Sequence, residues 1–463
     1  MVDVKKISVV FLLFIGITLF SLHGQSLETG LSLNLEEYLE RVKANNLDIV
    51  LSGQNILSAA ESIKQARSAF LPSIGATGGY IRNLRDRLQS TPVAANGLEP
   101  VMGTPGAGIY PLIYEDRDAN YDNELTAAVV LDQKIFDAAA LARYRQSKTG
   151  KTMQETVFDY TRQMVITAAK KLYAQTQLTE AVLAVMKEAE NASEETYRNI
   201  ERMYTAGTTT ELNLLMAEVD WKNNSTAVFE AERNMALVML ALKNLANIPP
   251  ETAITLTEEA GQLPELPSMP DLINVFTVRP DYHIQLLSKE LADEAYRASI
   301  GTFLPTVSAR FAYAYGNMGG YEGKGDWNAM NYSVPQVSLN ITIPLFTGGY
   351  RTSLVRNANI NREQAEITIQ KKRNEIEQEM TSLMLKMREA QQKMDSAGTL
   401  ETAALRAMAL AQISLENGMG TRLAVSEASA NLSKTRLNFQ NAVFEYRSAY
   451  YDWLLAVGCG ADL

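Results

Sequence analysis

Residues 303–315 read FLPTVSARFAYAY, and residues 70–83 read FLPSIGATGGYIRN. In the first stretch Val307, Ala309, Phe311, Tyr313 and Tyr315 alternate with Ser308, Arg310, Ala312 and Ala314. An apolar residue at every second position, with small or polar residues between, suits a strand that has lipid on one face and water on the other. Two further stretches alternate in the same way. Val337, Leu339, Ile341 and Ile343 are separated by Ser338, Asn340 and Thr342, and Leu125, Ala127, Val129 and Leu131 by Thr126, Ala128, Val130 and Asp132. The Gly-rich stretch at 73–83 is the fourth strand of the set. Before each Phe–Leu–Pro the composition is helical, over 34–69 and 271–302, with Leu35, Tyr38, Leu39 and Val42 at helical spacing. Pro72 and Pro305 end these helices, because the residue before a proline avoids the α region.

The two Phe–Leu–Pro elements belong to a longer duplication. Asn46–Leu47–Asp48 with Phe70–Leu71–Pro72 matches Arg279–Pro280–Asp281 with Phe303–Leu304–Pro305 at a constant offset of 233, and Ala59 and Glu61 match Ala292 and Glu294. Ile135–Phe136–Asp137 resembles Leu345–Phe346–Thr347 at an offset of 210. Gly207, Thr210, Leu212 and Ala217 match Gly418, Thr421, Leu423 and Ala428 at 211. The drop of 23 positions requires an insertion in the first half, between about Ser90 and Asn120. That stretch holds Pro92, Gly97, Pro100, Gly103, Pro105, Gly106, Gly108 and Pro111 and reads as a long loop.

Each half then runs into a very long helix. Residues 138–203 contain no Pro and a single glycine, Gly150, with a seam through Met164, Ala168, Leu172, Leu178, Val182, Val185 and Ala189. Sixty-odd residues of helix span roughly 100 Å. Gly207 breaks the run, a second helix returns over 211–247, and a Pro-rich linker follows from Pro249 to Pro270. The second half repeats the plan over 350–416, a turn at Gly418 and Gly420, and 422–456. The expected organisation is a leader at 1–24, a first repeat at 25–270 and a second at 271–463, with both repeats building one structural unit. Four strands cannot close a membrane barrel, and an open edge in lipid leaves backbone groups unpaired at several kcal/mol each. Strands pooled from three copies would number twelve, within the range of known barrels. The fold class expected is therefore an α+β membrane protein, with a trimeric 12-stranded barrel continued by a long α-helical coiled-coil tunnel.

Composition narrows the function. The 463 residues carry 43 basic and 53 acidic side chains, a net charge of −10, which does not suit nucleic-acid binding. His23, His283 and the single Cys459 offer little for a His- or Cys-based metal site or a Ser–His–Asp triad, so neither a cofactor nor catalysis is expected. Lys5 and Lys6 precede a mostly apolar run from Ile7 to Phe20 and a small residue at Gly24, the layout of a cleaved export signal. No later run of 18 apolar residues exists, so a membrane crossing has to be made by strands.

Other features read as wall or loop. Gly316, Gly319, Gly320, Gly323 and Gly325 with Lys324 lack the residues and flanking helix of a phosphate loop and read as a surface loop. Beside it, Tyr321, Trp327 and Tyr332 fit an aromatic girdle at a membrane boundary. Arg310 and Asp132 fall on the faces expected to line the lumen. Glu188 and Glu190 lie on long helices and read as solvated pairing residues.

The order of elements, the duplicated helix starts, the two Phe–Leu–Pro elements, Phe346–Thr347–Gly348–Gly349 and Tyr204–Thr205–Ala206–Gly207 together resemble the TolC family of outer-membrane efflux proteins. The resemblance implies a homotrimer in outer-membrane lipid. It also implies docking on a periplasmic adaptor and an inner-membrane pump, and export of drugs, other small toxic molecules or proteins. It sets the tunnel mouth at the helix turns. There Leu415, Gly420, Ala424 and Glu427 stand at the positions of the family's second-half Tyr, Arg and two acidic residues, so only Glu427 is acidic. Tyr204 and Gly207 match in the first half, while Asn213 stands at a family Asp position. Three copies of Glu427 could form an acidic ring. The turns with Gly207, Thr208, Gly418 and Gly420 are the candidate adaptor contacts. A periplasmic coiled-coil scaffold accounts for the helices but not the four strands, and a hydrolase lacks a constellation of residues.

Overall fold

A computed structural model of the protein describes residues 31–84, 88–94, 112–118, 122–257, 263–319, 330–417 and 419–459. The leader at 1–24, most of the insertion at 90–120, Gly320, Tyr321, Gly323, Lys324, Gly325, Trp327 and Gly418 lie outside the described residues. In chain order the elements are β1 (Leu31–Leu33), α1 (Leu35–Asn45), α2 (Leu47–Ser68), β2 (Ser73–Arg82), β3 (Leu88–Ala94), β4 (Leu112–Asp118), β5 (Asn123–Phe136), α3 (Ala138–Thr205) and α4 (Glu211–Leu245). Then follow β6 (Ile254–Leu256), α5 (Leu272–Val278), α6 (Pro280–Gly301), β7 (Thr306–Gly319), β8 (Met330–Thr342), α7 (Tyr350–Glu416) and α8 (Arg422–Val457).

The helices expected at 34–69 and 271–302 are each broken in two. Asn34 caps α1 in a capping box with Glu37. At Asn46 the backbone turns extended, with φ −63° and ψ 128°, and at Arg279 it does the same, with φ −69° and ψ 117°. Pro280 explains the second break, since it starts α6 at a position where its missing N–H costs nothing. The two breaks are held alike. Asn46 Nδ2 donates to the Leu245 carbonyl at 2.9 Å, and Arg279 Nη1 donates to the Ala456 carbonyl at 3.0 Å. Both donors and both acceptors are related by the offsets read from the sequence, so the duplication persists at the level of single hydrogen bonds.

The insertion is not wholly loop. Its two ends pair as an antiparallel hairpin of β3 and β4, with Pro92 opposite Tyr114. Turn-forming residues dominate its centre and conceal strands of 7 residues at the margins. The linker between the halves likewise contains β6, which pairs in parallel with β1.

The main sheet has the order β2-β5-β7-β8, antiparallel throughout. Its register keeps the alternation in phase from strand to strand. Ile74 is opposite Leu131, which is opposite Phe311, which is opposite Val337. Ala76, Val129, Tyr313 and Pro335 form the next row on the same face. Ile74, Val337, Leu339 and Ile341 are 61–82% exposed, so this apolar face has no cover among the described residues. A monomeric water-soluble protein seldom leaves such a surface open.

The described residues fall into two compact units, and each draws on both repeats. One comprises the chain up to Asn46, Ile166–Leu266 and Met387–Tyr451. Its core holds Tyr38 and Val42 of α1, Ile166, Ala169 and Tyr173 of α3, Leu242 of α4, Met387 of α7 and Tyr446 and Ala449 of α8, all buried. The buried tyrosines do not lose their hydroxyl partners: Tyr38 donates to the Leu242 carbonyl, Tyr173 to Leu33 and Tyr446 to Pro264. The other unit comprises Leu47–Val165, Pro267–Lys386 and the chain from Asp452. It contains the main sheet and a helical core around Ile49, Val275, Ile376, Met380 and Trp453.

Candidate channel wall and helix turns

The strand register assigns every residue of the main sheet to one of two faces. Opposite the apolar face lie Thr77, Thr126, Ala128, Val130 and Asp132, then Ser308, Arg310, Ala312 and Ala314, then Gln336, Ser338 and Asn340. Arg310 and Asp132 are both on this polar face. They are direct cross-strand partners, 3.7 Å apart and each about half exposed. An exposed pair of this kind contributes at most about 1 kcal/mol. Its main effect is local: each charge is set directly against the other on a face whose neighbouring positions are Val130, Ala312 and Ser338.

Tyr332 requires a correction. It pairs with Gly316 and shares the face of Ala314 and Arg310, so it belongs to the polar face and not to a girdle on the apolar one. Its ring lies over Gly316, where a Cβ would collide with it. The parity of the register decides this, because a shift of one residue moves a side chain to the other face. The tyrosines on the apolar face, among the described residues, are Tyr80, Tyr313 and Tyr315, with Tyr80 Oη donating to Asn123 Oδ1 at 2.8 Å. Amphipathic rings with a polar tip suit a membrane boundary.

The first helix turn is closed by backbone bonds. Gly207 N donates to Tyr204 O, and Thr208 N donates to Met203 O. Gly207 takes φ +70°, which a glycine accommodates without steric cost. Thr208 Oγ1 also donates to Met203 O. Thr210 caps α4 by accepting from Asn213 N, and Asn213 Nδ2 donates to Thr209 Oγ1 at 3.1 Å. Asn213 is thus a local turn brace with an exposed side chain, and Tyr204 is 41% exposed beside it.

In the second turn Met419 N and Gly420 N both donate to Ser414 O. A Cβ at Gly420 would come within 2.9 Å of Leu415 N, so this glycine permits a close approach of backbone to backbone. Glu427 is exposed on α8. One contact at this end was not apparent in the sequence: Arg422 Nη2 reaches Met203 Sδ at 3.3 Å, joining the start of α8 to the end of α3. Arg422 lies two residues beyond the position where an arginine was sought.

A charged cluster at the start of α6 was also missed. Arg279 binds Asp281 through two nitrogens, at 2.9 and 2.8 Å, and its Nη2 also reaches Glu379 at 2.8 Å. Lys372 Nζ lies 2.8 Å from Asp281. Arg279 and Asp281 are almost fully buried. Burial pushes the Asp281 carboxyl up, but hydrogen bonds from Arg279 and Lys372, with their charges, outweigh it and bring the pKa down to about 2. The sequence marked Arg279–Pro280–Asp281 as a repeat signature; nothing local pointed to Lys372 and Glu379.

Comparison with known proteins agrees with this geometry. Outer membrane protein TolC of Vibrio cholerae serotype O1 is 21% identical, over 92% of this chain and 90% of its own length. Alkaline protease secretion protein AprF of Pseudomonas aeruginosa is also 21% identical, over 71% of this chain and 69% of its own. Among solved structures, the CmeC outer membrane channel of Campylobacter jejuni superposes with a TM-score of 0.72 at 19% identity, covering 92% of this chain and 86% of that one. The sequence pattern of the family described as Outer membrane efflux protein matches residues 38–247 and 279–452. With that match over most of its length, the chain belongs to the outer membrane efflux protein family, the TolC family, and its place is the outer membrane.

Proposed function

We propose that three copies of this chain close a 12-stranded barrel in the outer membrane and form the exit duct of a tripartite efflux or type I secretion system. The observation that carries the reading is the main sheet. It has one apolar and one polar face, and β2 and β8 are its edges among the described residues. Because every pairing is antiparallel, β2 and β8 run in opposite directions. The β8 edge of one copy can therefore meet the β2 edge of the next in the same antiparallel manner, and repetition closes a ring without an exposed edge. The strands have 10, 14, 14 and 13 residues, long enough to cross a bilayer when tilted. Three copies is the number that the family resemblance implies. In this reading both repeats build one structural unit, Arg310 and Asp132 line the lumen, and the long helices continue it as a periplasmic tunnel.

The turns at Gly207–Thr208 and Gly418–Gly420 then face a periplasmic adaptor and its inner-membrane pump. Glu427, Asn213 and Tyr204 stand at the tunnel mouth, where three copies of Glu427 favour cations. The test is to extract the protein from envelopes in detergent, measure its native mass, and record single-channel currents in a planar bilayer. A trimer with a stable conductance is expected. A monomer released by osmotic shock without detergent would sink the duct and favour a periplasmic scaffold.

A further inference from the structure

The polar face of the main sheet is its concave one. Along β5 and β7, Thr126, Ala128, Ala312 and Ala314 are half-buried, while Leu125, Val129, Phe311 and Tyr313 on the other face are exposed. Side chains on a concave surface shield one another, and those on a convex surface splay apart. Among the described strand positions of this concave face, Tyr332 is the one aromatic residue. Its row runs Gly79, Thr126, Gly316, Tyr332. Each glycine receives a neighbour. Thr126 Oγ1 lies 3.3 Å from the place of a Gly79 Cβ, and the hydroxyl end of the Tyr332 ring fills the place of a Gly316 Cβ. An aromatic ring laid over a strand glycine is held flat on the sheet. Tyr332 therefore leans from β8 toward β5 instead of standing out from the face. It is half-buried, and Gly316 beneath it is buried.

The next row, on the side away from the helices, carries Glu124 on β5 and Met318 on β7. Within the described strands Glu124 is the single charged residue on this face beyond the Arg310–Asp132 pair. It accepts from Asn83 Nδ2 at 2.8 Å and has no ion pair among the described residues. The far end of the ring, over Gly316, stands one strand across and two residues along from Glu124, roughly 8 Å by sheet spacing. An aromatic face, a carboxylate and a thioether thus share one concave corner.

We infer that Tyr332, seated on Gly316, is a cargo contact on the outer wall of the duct, taking amphipathic organic cations on its ring with Glu124 as the counter-charge. The inference rests on the duct proposed above, in which this face lines the lumen. A cation over an aromatic ring is attracted by the ring quadrupole, and Glu124 attracts the same sign. An anion of equal size and shape gains from neither. Gly316 is a positioning residue. By accepting the ring it keeps the bore open and leaves the other face of the ring to the lumen.

The test records single-channel currents of the full chain in planar bilayers, with tetraphenylphosphonium as the probe and tetraphenylborate as its anionic counterpart. The cation is expected to lower the current, and the anion at the same concentration to leave it unchanged. Tyr332→Ala should raise the half-blocking concentration of the cation about tenfold, and Tyr332→Phe should leave it within about twofold. Glu124→Gln should raise it about threefold. Gly316→Ala should reduce the current without probe to about half, because the added methyl lifts the ring into the lumen. Adding Tyr332→Ala should restore that current. Should Tyr332→Ala fail to assemble, Tyr332→Leu is read in its place, since it keeps bulk without the aromatic face. Equal block of the parent and Tyr332→Ala, or equal block by both probes, overturns the contact and leaves the duct standing. A parental current in Gly316→Ala overturns the seat. A parent that forms no channel overturns the duct and the contact together.

Discussion

The starts of α2 and α6 are the same structural device built with different chemistry. At Asn46 a neutral amide makes one hydrogen bond to the last turn of its own repeat. At Arg279 a cation makes the equivalent bond and in addition holds Asp281 and Glu379. The shared bond is therefore what the geometry of the break requires, since it satisfies a helix-end carbonyl. The ionic cluster of Arg279, Asp281, Lys372 and Glu379 belongs to the second repeat. Once buried, it is sensitive to the loss of any one member, because a single unpaired charge in the interior costs far more than the intact pair contributes.

The difference can be tested by breaking each junction in turn. Arg279→Ala leaves Asp281 with only Lys372 and the Tyr282 amide and should destabilise the protein by about 3–5 kcal/mol, seen as a fall in the thermal midpoint. Acid should dismantle the same cluster. The Asp281 carboxyl titrates at about 2 in the folded protein against an ordinary 3.8. Its contribution of about 2 kcal/mol is complete above roughly pH 5 and is lost as pH falls toward 2. The stability gap between the protein and its Asp281→Asn variant should thus narrow on going from pH 7 to pH 3; a constant gap would contradict the ionic account. Gly301→Ala places a Cβ against the backbone of Ala139 and should cost about 2 kcal/mol, whereas Ser68→Ala at the counterpart position should cost under about 0.5 kcal/mol. Asn46→Ala removes one neutral hydrogen bond, with an expected loss of about 1 kcal/mol by denaturant titration. Arg310→Ala should change stability least, below about 1 kcal/mol. It uncovers Asp132 on the wall and should shift reversal potentials toward cation preference. An unchanged reversal potential would remove Arg310 and Asp132 from the lumen.

Much of the fold was legible in the sequence because it is written in short-range patterns. The long helices end within a few residues of their expected limits, since Gly207 and the prolines act on the backbone next to them. The strands were visible as alternation, and the duplication as constant offsets. The margins of the insertion were not legible, because the prolines and glycines at its centre masked the short strands of the β3–β4 hairpin. Of the site, the polar-face positions of Arg310 and Asp132 followed from alternation alone. Tyr332 was read as part of an aromatic girdle from its ring and the loop beside it, whereas counting back from Val337 along β8 puts it on the polar face.

The sequence by itself determined that the chain is duplicated, that each half carries strands with one apolar face, and that long helices follow them. Those properties depend on the period of side chains along one element and on the steric preferences of glycine and proline. The tertiary structure alone decided which distant groups meet. Glu379 and Ala456 lie 100 and 177 residues from Arg279, Met203 lies 219 from Arg422, and Gly316 receives the ring of Tyr332 through cross-strand register. Such partners are chosen by how packed elements slide and rotate against one another, and no local pattern encodes that.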